Sequence, residues 1–205
     1  MNKPHQLKTV SPATGTPPGS SGGAGSGSSG GGSAGFNLDL QAIEAAKNNI
    51  GDGAVTPGHG QDSDAIVKLL DGALATEIVC TLRYKRHYFT AHGLASPSIA
   101  EEFLAHANEE QAHADSIARR IVQLGGAPDL SPDSLSSRSH ADYDASADLK
   151  SMLRADLTAE RVAIESYHQM IKLIGDRDPT TRRLLEGILA QEEEHADELK
   201  DMLQE

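Results

Sequence analysis

Glu110-Gln111-Ala112-His113 and Glu192-Glu193-Glu194-His195 are two copies of one pattern, a glutamate followed three residues later by a histidine. Each copy has a lone glutamate upstream: Glu77 precedes Glu110 by 33 residues, and Glu160 precedes Glu192 by 32. Residues three apart on a helix lie on nearly one face, so each Glu-x-x-His can aim both side chains at one point. Carboxylate oxygen suits hard cations, and neutral imidazole suits iron, zinc or copper. Glu77, Glu110, His113, Glu160, Glu192 and His195 therefore make a full ligand set for two metal ions. The four carboxylates would cancel the charge of two ferrous ions.

A third Glu-x-x-His, Glu165 to His168, lies on the helix expected to carry Glu160. Five residues at about 100° each turn Glu165 roughly 140° from Glu160, so it faces elsewhere. One such motif is weak by itself; the weight rests on the paired repeat and on the heights of its members. A first helix is expected over residues 64–92, before Gly93, and a second over 97–124, with Ser96 as N-cap and Pro97 in the first turn. Glu77 is 15 residues before His92 and Glu110 is 13 after Pro97. In an antiparallel hairpin both lie about 20 Å from the turn. A third helix over 147–174 and a fourth over 179–203, opened by Asp178-Pro179, repeat the arrangement. Glu160 is 14 residues before Ile174, and Glu192 is 13 after Pro179. The two hairpins imply a pseudo-twofold axis through the site.

Every ligand lies in an apolar stripe. The first helix gives Leu70, Leu74, Thr81 and Tyr84, and the second Ile99, Phe103, Ala107, Ala114, Ile117, Ile121 and Leu124. The third gives Leu153, Leu157, Ile164, Tyr167 and Ile171, and the fourth Leu185, Ile188, Leu189, Ala196, Leu199 and Leu203. A charged glutamate within such a stripe is costly to bury unless it is paired, and metal is the obvious partner.

Three segments are expected along the 205 residues. Residues 1–35 are dominated by Gly, Ser, Ala, Thr and Pro and read as a disordered tail. Residues 36–61 read as a short amphipathic helix, with Phe36, Leu40, Ile43 and Ala46 on one face, then a loop. Residues 62–205 hold the four long helices. The one long connection, 125–145, is Pro- and Ser-containing, and some twenty extended residues can cross a helix of roughly 40 Å, so the second and third helices can run parallel. No apolar run reaches membrane-spanning length and the start of the chain has no signal-peptide core, so a cytoplasmic location is expected. A single cysteine, Cys80, excludes an intrachain disulfide and a four-cysteine iron site; it reads as a small core residue. The net charge of −12 argues against a general DNA coat.

The six ligands, and the run Met152-Leu153-Arg154-Ala155-Asp156-Leu157-Thr158-Ala159-Glu160, resemble bacterioferritin, within the ferritin-like superfamily. A glutamate from each of two helices with a Glu-x-x-His from each of two others is the ligand arrangement of ferritin-like di-metal bundles. The resemblance covers residues 62–205. It implies an all-α, ferritin-like four-helix bundle with one long crossover between the second and third helices. It implies a di-iron site within one subunit, with Glu110 and Glu192 bridging the irons, Glu77 and His113 on one and Glu160 and His195 on the other. Tyr84, seven residues after Glu77, falls where bacterioferritins carry a tyrosine beside this site and becomes the candidate catalytic residue. The implied activity is a ferroxidase that oxidises Fe2+ with O2 or H2O2 and stores ferric iron in a homo-oligomeric shell.

Two departures matter. Haem-binding bacterioferritins have a methionine directly after the second-helix glutamate; Gln111 stands here, so haem is not expected. The chain ends ten residues after His195, so the fifth short helix of 24-subunit ferritins is expected to be absent and 12 subunits are favoured, as in mini-ferritins of the Dps type. Other di-metal oxidoreductases of the same fold, of peroxidase, manganese catalase or oxygenase type, remain alternatives, because fold does not settle function. A DNA-protecting role is the second alternative, although Lys3 and Lys8 are the only lysines in the first 35 residues and give little counterion release. A purely structural bundle is the third, and it leaves the glutamates in the apolar stripes unexplained. His106 reads as a gate for iron or as a satisfied buried histidine. Glu109 reads as a solvated residue or one that passes iron on, and Tyr167 as the pseudo-mate of Tyr84.

Overall fold

The computed structural model describes residues 37–59, 62–93 and 96–204; the expected tail, 1–35, lies outside them. Six helices follow one another: α1 (Leu40–Ala45), α2 (Ser63–Thr90), α3 (Ser96–Gln123), α4 (Leu135–Arg138), α5 (Leu149–Ile174) and α6 (Pro179–Met202). No strand occurs among the described residues. The four long helices are those expected, with no end displaced by more than two residues. Two ends have clear caps. Asp148 accepts from the Ser151 amide at the start of α5, and Asp178 accepts from the Thr181 amide at the start of α6, where Pro179 occupies the first turn. Ser96 is not the N-cap expected of it: it is the first residue of α3, and its hydroxyl donates to the Gly93 carbonyl at 2.8 Å. At the far end of α5, Gly175 adopts φ 54°, a left-handed value that a side chain resists, and the chain turns there.

The expected N-terminal helix is shorter than its apolar pattern. Asp39 caps α1, and the chain leaves it before Asn49, whose φ of 53° starts a 3-10 turn. Leu40 and Ile43 remain 73 % and 50 % exposed, so α1 does not bury its apolar face on the bundle of one chain. The expected loop after it carries two 3-10 turns, Ile50–Asp52 and Pro57–His59.

α2 packs against α3, α5 against α6, α2 against α5 and α3 against α6. Cross-helix bonds give the directions. Tyr84 bonds Glu160 while Tyr167 bonds Glu77, so α2 and α5 are antiparallel. His106 meets Glu198 while Arg120 meets Asp178, so α3 and α6 are antiparallel too. With both hairpins antiparallel, α3 and α5 run parallel, as the long connection allows. That connection descends along α2: the Asp129 amide donates to the Asp71 carboxylate, the His140 amide donates to Thr76, and Arg83 donates to the Asp142 carbonyl. Gly126 lies so close to Val67 that a Cβ would sit 2.8 Å from it. The connection is not wholly extended, since α4 forms within it.

A polar layer separates the two larger of three apolar clusters among the described residues; the smallest holds Cys80, Ala141 and Ala159. One apolar cluster holds Leu70, Leu74, Ala114, Ile117, Tyr167, Leu185 and Ile188. The other holds Tyr84, Phe103, Ala107, Met152, Leu153 and Leu199. Between them lie the six residues of the repeated motif. The cap of α5 is exposed and local, so Asp148→Ala is expected to lower the unfolding midpoint slightly without touching that layer. Denaturant midpoints of the two chains, compared at one protein concentration, check this.

Candidate metal centre

The structure brings all six expected ligands together, one or two from each long helix. Glu77 comes from α2, Glu110 and His113 from α3, Glu160 from α5, and Glu192 and His195 from α6. All six are buried, none more than 5 % exposed. They fall into two overlapping groups, Glu77–Glu110–His113–Glu192 and Glu110–Glu160–Glu192–His195. Glu110 and Glu192 belong to both groups, and each turns one oxygen to either side. His113 Nδ1 is 3.1 Å from Glu192 Oε1, 3.3 Å from Glu77 Oε2 and 3.9 Å from Glu110 Oε2. His195 Nδ1 is 3.8 Å from Glu192 Oε2, 3.7 Å from Glu110 Oε1 and 3.9 Å from Glu160 Oε2.

The outer ring nitrogens explain why Nδ1 points inward. His113 Nε2 donates to Gln191 Oε1 at 2.8 Å, and His195 Nε2 donates to Glu109 Oε2 at 2.6 Å. A histidine held by its outer N–H presents its other nitrogen as a ligand. Glu109 is thus the partner of a candidate ligand as well as a half-exposed carboxylate.

Two tyrosines brace the outer glutamates. Tyr84 donates to Glu160, and Tyr167 donates to Glu77. Both are completely or almost completely buried, and burial followed by the facing glutamate pushes each phenol well above its usual range. They enter the site as neutral donors to carboxylates.

Ten buried side-chain N or O atoms among the described residues lack a hydrogen bond, and seven of them belong to these six residues. They are Glu77 Oε2, Glu110 Oε1, His113 Nδ1, Glu160 Oε2, both oxygens of Glu192, and His195 Nδ1. Unsatisfied buried polar atoms are rare and costly. Here they converge, and carboxylate oxygen with imidazole nitrogen is a donor set that fits two iron ions.

Protons substitute for that charge when no metal is bound. Burial, then the adjacent Glu192, raises Glu110 and Glu160 well above the carboxylate range. Burial pulls His113 down, but Glu192 and Glu77 push it further up, to about 10. Burial opposes the charge on Glu192, yet His113 and His195 together hold it below its usual range. Cys80 is buried beside this layer; burial pushes its thiol up, consistent with a packed core residue.

The third Glu-x-x-His stays outside. Glu165 is exposed and bonds Gln169 on its own helix, while His168 faces Glu193 at 3.7 Å. Gln111 is exposed and donates to Asp115. Sequence reading missed a buried network under Tyr84. Arg83 donates to Asp156 at 2.7 Å, and His87 Nδ1 meets the other Asp156 oxygen at 2.8 Å. The partners are about seventy residues apart, and only the helix pairing joins them.

The Ferritin-like domain family matches residues 67–205, and the chain belongs to that family. Among similar proteins, the Nutrient stress-induced DNA-binding protein of a Synechococcus strain is 33 % identical over 62 % of this chain and 74 % of its own. The Bacterioferritin of Desulfovibrio desulfuricans is 26 % identical over 67 % of this chain and 74 % of its own. Among solved structures, the dodecameric thioferritin of Bacteroides fragilis, described as a bacterioferritin-related protein, superposes with a TM-score of 0.67. It is 32 % identical and covers 70 % of this chain and 86 % of that one. No helix among the described residues is long and apolar enough to cross a membrane.

Proposed function

We propose that this protein is a ferroxidase that oxidises Fe2+ with O2 or H2O2 and keeps the ferric product within a shell of identical subunits in the cytoplasm. The observation that carries this reading is the convergence of seven unsatisfied donor atoms on one buried point. Fe2+ is the substrate, and Glu77, Glu110, His113, Glu160, Glu192 and His195 hold a pair of ions. Glu110 and Glu192 offer one oxygen to each ion and so bridge them. Each ion gives up one electron, which makes a two-electron oxidation of the pair possible. Tyr84 and Tyr167 hold the outer carboxylates and keep water from those oxygens. Tyr84, which also lies 3.2 Å from His106 Nδ1, is the better placed to move a proton.

A shell needs contacts between copies. Leu82 and Phe89, seven residues apart on one face of α2, are 50 % and 78 % exposed and have the spacing of a face that a second copy would cover. Twelve subunits are the favoured number, as in the dodecameric relative.

The test is to load the metal-free protein with Fe2+ anaerobically, admit O2 or H2O2, and count the iron that stays with the soluble protein. Many ions per chain is the expected result. A stop at two per chain would leave a di-iron oxidoreductase without storage, and no oxidation would sink the reading. The relative named as a DNA-binding protein favours a second reading, protection of DNA by the shell. The net charge of −12 opposes it, and a gel shift at physiological salt decides between them.

A further inference from the structure

On α3, Glu102, His106, Glu110 and His113 recur every three or four residues. On α6, Glu192, His195 and Glu198 recur every three. The stripes that supply the di-metal centre therefore continue one turn further, and that turn has donors of its own. Glu102, His106 and Glu198 each offer a ligand atom, all within 4.8 Å of one another. His106 Nε2 is 2.9 Å from Glu198 Oε2 and 3.5 Å from Glu102 Oε1. An ion held at about 2.1 Å by each donor sets neighbouring donors about 3–3.5 Å apart, so small rotations of the two glutamates suffice.

We propose that Glu102, His106 and Glu198 form a third, mononuclear site for a divalent cation, which receives ions from solvent before they reach the buried pair. The proposal rests on the di-metal reading for its destination, not for its ligands. The exposure gradient supports it. Glu102 and Glu198 are 35 % and 42 % exposed, and His106 is 1 % exposed. The site thus has an outer wall of carboxylates open to water and a rigid inner ligand. His106 is the link inward. Its ring stacks on His195 with centroids 4.1 Å apart, and its Nδ1 lies beside the Tyr84 hydroxyl that bonds Glu160. Two carboxylates and one imidazole suit Fe2+, Mn2+ or Zn2+. An open position remains for water, so the ion is held and can leave.

Zn2+, which does not change oxidation state, counts the sites. Titration of the metal-free, full-length protein by calorimetry is expected to give three tight Zn2+ per chain. Glu102→Gln with Glu198→Gln is expected to give two. Both residues are partly exposed, and exchanging carboxylate for amide keeps their shape, so the fold is expected to be preserved. Glu110→Gln with Glu192→Gln is expected to keep one. Three ions retained by the Glu102/Glu198 variant, or two bound by both it and the unaltered chain, would overturn the proposal. A single ion in the unaltered chain, lost in the Glu102/Glu198 variant, would uphold this site and reject the di-metal reading instead. In oxidation assays the same variant should need about tenfold more Fe2+ for half-maximal rate, with the maximal rate unchanged, as expected when a charged funnel is removed.

Discussion

Glu110→Ala combined with His195→Ala should abolish rapid oxidation of Fe2+ while the helical bundle still forms. Glu110 is shared between the two halves of the site, and His195 is the sole imidazole of one half. Loss of both removes a bridge and one terminal ligand. Loss of a residue that only supports a ligand already costs about 10–100-fold in metal affinity or activity. Removing two ligands is therefore expected to lower the oxidation rate by more than about 100-fold. Stopped-flow absorbance after mixing with oxygenated buffer measures it, and light scattering checks assembly. Unchanged kinetics would refute the ligand assignment. Glu165→Gln is the matched control and should leave the rate as it was, because Glu165 points to solvent. The proton inventory supplies a second readout. Glu110, Glu160 and His113 all favour the protonated form without metal, so ions must displace protons to bind. Acidification should weaken binding, and metal loading in weak buffer should lower the pH less for the double variant.

Asp156→Ala is expected to be the most destabilising single change outside the metal layer. Asp156 is fully buried and joins two fully buried partners, Arg83 through one oxygen and His87 through the other. Its removal leaves the Arg83 guanidinium in the core without a counter-charge. Breaking a buried pair in this way costs about 3–5 kcal/mol. Asp156→Asn keeps the shape and one acceptor and is expected to cost less. Urea midpoints, taken metal-free at one protein concentration, give the difference. A change below about 1 kcal/mol for Asp156→Ala would show that water or a shift of Arg83 relieves the charge. The effect should extend to the site, since the Arg83 guanidinium lies 5.3 Å from the centre of the Tyr84 ring.

The grouping of the six candidate ligands was legible because its signal is local and doubled. Glu-x-x-His fixes two ligands on one helical turn, and the hairpin arithmetic places the lone glutamates Glu77 and Glu160 at matching heights. The angle from Glu160 also removed Glu165 from consideration, and Glu165 is exposed. The class of fold followed from the four stripes and the single long connection. Features that depend on which helices touch were not legible. Glu198 has no neighbour in sequence that marks it as a partner of His106, 92 residues away. Asp156 appeared only as part of a resemblance, and its bonds to Arg83 and His87 needed the α2–α5 contact. The N-terminal helix was expected to run to Asn49; among the described residues it spans Leu40–Ala45, and the backbone turns left-handed at Asn49.

The two tyrosine braces exchange partners between hairpins. Tyr84 of the first serves Glu160 of the second, and Tyr167 of the second serves Glu77 of the first. Neither hairpin alone can finish either half of the centre. Two copies of one such hairpin, placed face to face, could finish both. The present chain is therefore organised as a fused dimer of half-proteins. Cut within the crossover, its fragments would have a chemical reason to find each other again, and metal would be the reagent that reports their reunion.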